Sequence, residues 1–98
     1  MVQINWTLQA TSDLKDIAEY ISKDSKKYAK LQIVRIRFRT KILLSQPYSG
    51  KTVSEIGNKN ICELIEGNYR IIYKVVNDSR IDILTIHHSA RDLHSRNI

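Results

Sequence analysis

The first apolar positions of the chain alternate with polar ones. Val2, Ile4 and Trp6 are separated by Gln3 and Asn5, and this period of two is typical of a strand with one buried face. The sequence therefore predicts a short strand at the beginning of the chain.

The apolar spacing then changes to that of a helix. Thr11 and Ser12 can cap a helix, and Asp13 would lie in its first turn, where a carboxylate is favourable. A stripe of apolar residues at helical spacing follows, made of Leu14, Ile17, Ala18 and Ile21. The pattern predicts a first helix that ends near Ser22.

A second helix follows after a short polar connection. Asp24 or Ser25 can cap it, and the helical pattern continues to about Ser45. The connection is so short that the two helices should form an antiparallel hairpin. Apolar residues of the second helix form two stripes, one of Leu31, Val34, Phe38 and Ile42 and the other of Ala29, Ile33, Ile36 and Leu43. Such a wide apolar arc predicts packing on two partners, the first helix and a sheet.

The second half of the chain has the pattern of a sheet. Residues 46–50 contain Pro and Gly and predict a loop. Residues 61–65, 69–76 and 81–87 are rich in β-branched and aromatic residues and are separated by turn residues. The order of elements is β-α-α-β-β-β, which predicts an α+β fold with a helical hairpin packed on a small antiparallel sheet. The length suits one domain that spans residues 1–98.

Composition narrows the possible functions. No apolar stretch approaches the roughly 20 residues of a membrane helix, and residues 1–9 lack the pattern of an export signal, so a cytoplasmic protein without membrane contact is expected. Cys62 is the one cysteine, and we expect it to be a small apolar side chain that fills space in a strand. No spacing of His or Cys residues indicates a metal site. No cofactor is expected. The net charge of +6 favours an acidic partner, since the segment between Ser25 and Ser54 holds eight basic residues and no acidic one.

Several segments together resemble a known family. The C-terminal half contains Glu63-Leu64, Asn68-Tyr69-Arg70-Ile71-Ile72-Tyr73 and His87-His88-Ser89-Ala90-Arg91-Asp92-Leu93, and the N-terminal half contains Trp6, Ala10, Asp13-Leu14 and Ile17-Ala18 at comparable spacing. This ordered set resembles the ParE/RelE toxin superfamily, in its ParE-like branch. The resemblance implies a prokaryotic toxin of a type II toxin–antitoxin module, neutralised by a cognate antitoxin and in contact with operator DNA only through that antitoxin.

The two branches of the superfamily imply different targets. The ParE branch implies that DNA gyrase is bound and poisoned in its cleavage complex, without chemistry by the toxin itself. The RelE branch implies an endoribonuclease that cuts messenger RNA on the ribosome. The arginine that typically begins the second strand of the RelE sheet would fall at Cys62, and the catalytic tyrosine near the C-terminus has no counterpart. The sequence therefore favours the gyrase interpretation.

The ribonuclease alternative would depend on four residues, Arg70, His87, His88 and Arg91. Arginine can hold a phosphate in a bidentate contact, and a neutral imidazole can exchange protons near pH 7. Arg70 also suits an ion pair with Glu63 on the neighbouring strand. Because successive strand residues face opposite ways, His87 and His88 cannot both line one site. A third possibility is a degenerate toxin that acts only as the co-repressor of its antitoxin.

The exposed side of the helical hairpin and the open face of the sheet are the predicted antitoxin sites. An acidic amphipathic arm would fill an apolar groove rimmed by cations. The predicted groove and rim residues are Ile33, Arg35, Ile36, Arg37, Arg39 and Leu43.

Overall fold

The computed structural model describes residues 2–89. Two helices, α1 and α2, follow a first strand and precede four more strands. The elements are β1 Gln3–Trp6, α1 Leu8–Ser22, α2 Lys26–Arg39, a 3-10 helix Thr40–Leu44, β2 Lys51–Thr52, β3 Ile61–Glu66, β4 Tyr69–Asn77 and β5 Arg80–His88. The predicted α+β order is confirmed, with β2 as an added two-residue strand in a segment where no strand was predicted.

The strands form one five-stranded sheet in the order β1-β5-β4-β3-β2. Strands β2 to β5 are antiparallel to their neighbours, as the meander pattern predicts, whereas β1 lies parallel to β5 with Ile4 opposite Ile81. The sheet is therefore mixed: the predicted antiparallel meander is confirmed, and β1 joins it in the parallel direction. Two helices separate β1 from the rest of the sheet, so no hairpin turn dictates the direction in which β1 pairs.

Helix α1 begins four residues earlier than predicted. Its N-cap is Thr7, whose hydroxyl oxygen accepts a hydrogen bond from the backbone N–H of Ala10 at 3.1 Å. The same hydroxyl donates to the carbonyl oxygens of Ile83 and Leu84 on β5, at 2.7 and 3.0 Å. Thr11, predicted as a cap, lies inside the helix. Thr7 thus begins the helix and attaches that end to the sheet.

Asp13 is buried in the interface between α1 and β5. Its carboxylate accepts hydrogen bonds from the backbone N–H of Ile86 at 3.0 Å, from the Thr85 hydroxyl, and from the Gln9 side-chain amide at 2.8 Å. Strand β1 ends at Trp6, which pairs with Ile83, so the edge of β5 beyond Ile83 has no strand beside it. Asp13 thus accepts a backbone hydrogen bond that no strand accepts at that edge. Because α1 begins at Leu8, Asp13 lies in its second turn, whereas the sequence predicted the first turn.

Helix α2 is shorter than predicted. The predicted cap Ser25 is confirmed, since its hydroxyl accepts from the backbone N–H of Tyr28 at 3.1 Å. The α-helix ends at Arg39, and the chain tightens into the 3-10 helix that ends at Leu44. At this junction the Thr40 hydroxyl donates to the carbonyl oxygen of Arg37 at 2.7 Å, a local bond that competes with helical pairing.

The core lies between the two helices and one face of the sheet. Its largest buried members from the sheet are Leu64, Ile71, Tyr73, Ile81, Ile83 and Ile86, and those from the helical half are Leu14, Ile36 and Leu43. Cys62 is buried in β3, which confirms its predicted role as a strand filler. A smaller cluster of Val53, Ile61 and Ile72 covers part of the opposite sheet face.

Tyr73 shows how tightly the sheet packs against the loop before β2. Its side chain is fully buried, and its hydroxyl accepts from the backbone N–H of Gly50 at 3.0 Å. Burial raises the pKa of Tyr73 to about 12, so the phenol stays neutral. A Cβ at Gly50 would lie 2.5 Å from the Tyr73 hydroxyl and 2.5 Å from the Glu63 carbonyl oxygen. Only glycine fits at this position.

We expect Asp13→Ala to destabilise the fold strongly. The substitution leaves the buried Ile86 N–H and the Thr85 hydroxyl without their acceptor, and the expected loss in the free energy of unfolding is about 2 to 3 kcal/mol. Urea denaturation followed by circular dichroism measures it. Asp16→Ala, at an exposed position of the same helix, is the control and should change stability by less than about 0.5 kcal/mol. Equal losses in both variants would contradict the role of Asp13.

Candidate functional site

Arg70 is at the centre of an ion network on the sheet face away from the helices. Its Nη1 and Nη2 donate to the two carboxylate oxygens of Glu55 at 2.7 and 3.0 Å, and its Nε donates to Glu63. Glu63 lies on β3 and confirms the predicted ion pair, while Glu55 comes from the loop between β2 and β3. All three side chains are at most 24% exposed. Arg70 therefore holds a loop against the sheet.

Sequence reasoning missed Glu55. The residue is 15 positions from Arg70 along the chain, and no periodicity links the loop to the strand. The available signal was that Glu55 is the one acidic residue in the segment 50–60. A partly buried arginine on a nearby strand would attract it.

The contacts of Arg70 limit how it can meet a phosphate. Among residues 2–89, two carboxylates contact its guanidinium. Hydrogen bonding to Arg70 holds the pKa of Glu55 at about 2, and the same bonds raise the pKa of Arg70 above its ordinary value. Three of the five N–H donors of the guanidinium already contact carboxylates. Two N–H donors of the guanidinium have no carboxylate contact among residues 2–89, so a phosphate would share Arg70 with Glu55 and Glu63.

The two predicted histidines face opposite sides of the sheet, as strand alternation requires. His87 lies opposite Arg70 in the β4–β5 register, and its side chain is 1% exposed. His88 lies opposite Tyr69 and contacts that ring edge-on with centroids 5.5 Å apart. Arg91 lies outside the described residues. The structure thus brings His87 to the face that carries Arg70 and places His88 on the other face.

Among residues 2–89, no three His, Cys, Asp or Glu side chains come together as metal ligands. Neither helix within this range has the length and the apolar composition needed to cross a bilayer.

Helix α2 carries a second candidate site, which is apolar and exposed. Leu31, Val34 and Phe38 are spaced three and four residues apart, so they lie on one side of the helix, and they are 41%, 56% and 69% exposed. We call these three residues the α2 crest. The three side chains are apolar and exposed, and the ammonium group of Lys41 lies over the Phe38 ring, 5.4 Å from its centroid.

The crest replaces the groove that the sequence predicted. Ile36 and Leu43 are 0% exposed, and Ile33 packs partly buried against the core. The prediction that Ile36 and Leu43 line a surface groove was wrong, because the stripe to which they belong is the one that packs on the sheet. In the other apolar stripe, which was predicted to pack on a second partner, Leu31, Val34 and Phe38 are exposed, whereas Ile42 packs partly buried against the core.

The predicted rim arginines have three different environments. Arg35 is exposed, and Arg37 is exposed with its guanidinium over the ring of Trp6, 5.0 Å from the ring centroid. Arg39 is half-buried and donates from Nε to the carbonyl oxygen of Ile65 at 3.2 Å. Arg35 and Arg37 are thus available at the surface, whereas Arg39 ties α2 to the edge of β3.

The charge of α2 is not neutralised by nearby carboxylates. The helix has six basic residues and no acidic one. Within the described part of the chain, the ion pairs that form belong to Arg70 and Arg80. The crest is therefore an apolar surface beside cations of α2 that form no ion pair within residues 2–89.

Comparisons with known proteins agree with the fold. The sequence model of the family described as "ParE toxin of type II toxin-antitoxin system, parDE" matches residues 4–93. The chain is similar to a chain of the chromosomal ParDE toxin–antitoxin system of P. aeruginosa, with 24% identity, 90% of this chain and 96% of that chain covered, and a TM-score of 0.75. It is also similar to a chain of the E. coli DinJ-YafQ complex, with 19% identity, coverage of 92% and 96%, and a TM-score of 0.57. No curated protein sequence matches.

The Arg70 network should make stability depend on acid pH. Glu55 has a pKa of about 2 in the fold against an ordinary value of 4.5. Its contribution is present above pH 4.5 and is lost as the pH falls towards 2, because the carboxylate is then protonated. The stability advantage of the wild type over Glu55→Gln should shrink by about 1 kcal/mol between pH 5 and pH 2, because solvent screens this ion pair at the sheet surface.

Urea denaturation at stepped pH values measures this difference. Glu19→Gln, at an exposed position on α1, is the control, and its curve should follow the wild type across the range. Parallel curves for wild type and Glu55→Gln would show that the Glu55 contact does not form in solution.

Proposed function

Because the chain belongs to the family of ParE toxins of type II toxin–antitoxin systems, we propose that it arrests growth by binding DNA gyrase and is held inactive by a cognate antitoxin docked on helix α2. The observation that carries the proposal is the α2 crest with the basic residues of α2 beside it. This surface suits a protein partner, whereas the Arg70 network is poorly suited to catalysis.

The chemistry of the crest defines the antitoxin arm. Leu31, Val34 and Phe38 follow helical spacing, so an amphipathic segment with apolar residues at matching intervals could bury them. Arg35 beside the crest favours carboxylates at the rim of that segment. An arm of this kind would be disordered when free and would order on binding. Two chains that share the fold come from the ParDE toxin–antitoxin system and from the DinJ-YafQ complex.

The gyrase target is supported by family membership and by the state of Arg70. Cleavage of RNA by in-line attack needs cations over the scissile phosphate and a proton acceptor within reach of the 2′-hydroxyl. Arg70 is held by Glu55 and Glu63, and His87 is buried. We propose that the toxin instead binds gyrase and traps it on cleaved DNA, with no chemistry by the toxin itself.

Truncation of the crest should weaken antitoxin binding. We expect Val34→Ala/Phe38→Ala to lower the affinity for the antitoxin encoded by the neighbouring reading frame by about 30-fold or more, as for the central apolar residues of an interface. Isothermal titration calorimetry measures the affinity. Both side chains are exposed, so the fold should tolerate the change.

The control is Leu8→Ala/Tyr48→Ala, which removes two exposed apolar side chains outside α2. Its affinity should equal that of the wild type. If the crest variant binds normally while Arg35→Glu/Arg37→Glu does not, the interface depends on charge and the apolar part of the proposal fails.

The gyrase proposal is tested in a supercoiling assay with purified toxin. We expect the toxin to inhibit supercoiling and to yield linear DNA after detergent and protease treatment, and added antitoxin should restore supercoiling. The ribonuclease alternative is tested by mapping the 5′ ends of messenger RNA after the toxin is induced. Codon-phased cuts that disappear in Arg70→Gln, together with unaffected gyrase, would replace the proposal by RNA cleavage. Absence of growth arrest without antitoxin would indicate a co-repressor that has lost toxicity.

A further inference from the structure

A line of basic side chains runs along α2 beside the crest. Lys26, Lys30 and Arg37 are four and seven residues apart, so they lie on one side of the helix within about 40° of one another, at 100° per residue. All three are exposed. We call them the α2 flank. The residue that shares this side, Ile33, is turned towards the core, so the exposed part of the flank is wholly cationic.

Repulsion between the like charges of the flank destabilises helix α2. Lys26 and Lys30 are like charges in an i, i+4 pair, which destabilises a helix. No ion pair within residues 2–89 relieves it. A nearby carboxylate on α2 would have removed this repulsion, but the helix has none. A row of positive charges that no described carboxylate neutralises is suited to binding a polyanion.

Arg37 is held in position for such a partner. Its guanidinium lies over the Trp6 ring at 5.0 Å, and this cation–π contact limits the rotamers available to the side chain. A guanidinium that stacks by its face keeps the N–H groups of its edge available for a phosphate. The ordering cost on binding is therefore lower for Arg37 than for a free surface arginine.

The flank differs from the crest in the partner that it fits. Protein interfaces centre on apolar and aromatic anchors and have few charges at their core, and the crest provides such anchors. The flank provides charge alone, spread over about 16 Å of helix. Duplex DNA carries a phosphate charge about every 1.7 Å of its axis, so a duplex provides enough negative charge over the length of the flank to complement its three cations.

We propose that the α2 flank binds the phosphate backbone of double-stranded DNA directly, without sequence preference. This contact goes beyond the proposed target, because it needs neither gyrase nor the antitoxin. It would add affinity for any assembly in which the toxin sits beside a duplex.

Fluorescence anisotropy of a labelled 20-base-pair duplex, titrated with the full-length toxin in the absence of other proteins, tests the proposal. Three phosphate contacts predict that log K falls with log salt with a slope of about −2.7. Lys26→Gln/Lys30→Gln should reduce the slope to about −0.9 and weaken binding at low salt at least tenfold. The thermal unfolding midpoint of each variant shows that it is folded.

The matched control is Lys51→Gln/Lys59→Gln, which removes the same charge from two exposed positions outside α2. It should retain the slope and the affinity of the wild type. Equal weakening by both pairs would mean that the net charge acts and the flank does not, and would overturn the proposal. Binding confined to single-stranded DNA or RNA, or no binding, would also overturn it. None of these outcomes bears on inhibition of supercoiling by the toxin, which is measured separately.

Discussion

The attachment of α1 to the open edge of β5 is the constraint on which the arrangement of the helices depends. Strand β1 is only four residues long, so on its side of β5 the residues beyond Ile83 have no strand partner, although β4 pairs with them on the other side. Thr7 and Asp13 supply the missing hydrogen bonds from the first two turns of α1. A buried N–H without an acceptor is costly, so these bonds fix the position of α1 along the sheet. The short connection to α2 then limits where the second helix can lie.

The sequence predicted most elements but not the contacts that orient them. The strands and the hairpin follow from local periodicity, and their order follows the chain. The cap at Thr7 was missed because its second role, towards Ile83 and Leu84, involves residues more than 70 positions away. Both stripes of α2 are apolar, so the linear pattern could not show which of them packs on the sheet. Ile36 and Leu43 were therefore misplaced at the surface.

The two ion pairs of Arg70 also differ in whether the sequence could predict them. Its pairing with Glu63 could be predicted because adjacent antiparallel strands bring the two side chains to one face. The contact with Glu55 depends on how the loop between β2 and β3 folds back over the sheet, for which the sequence has no periodic signal. That second carboxylate changes the chemistry, because a single ion pair leaves the guanidinium partly free for a phosphate whereas two carboxylates occupy three of its donors.

Helix α2 meets three different environments on three sides, and this explains its unusual composition. One stripe packs on the sheet and is apolar, the crest is apolar and exposed, and the flank is cationic. A helix selected only for stability would carry mixed charges on its outer surface, because i, i+4 pairs of opposite sign stabilise it. The absence of any acidic residue from α2, together with exposed Val34 and Phe38, is costly for solubility and helix stability alike. Such a surface is reasonable in a protein that spends most of its life with that side covered. The proposed antitoxin would provide this cover, and the exposed crest would then be a hazard only to the free toxin.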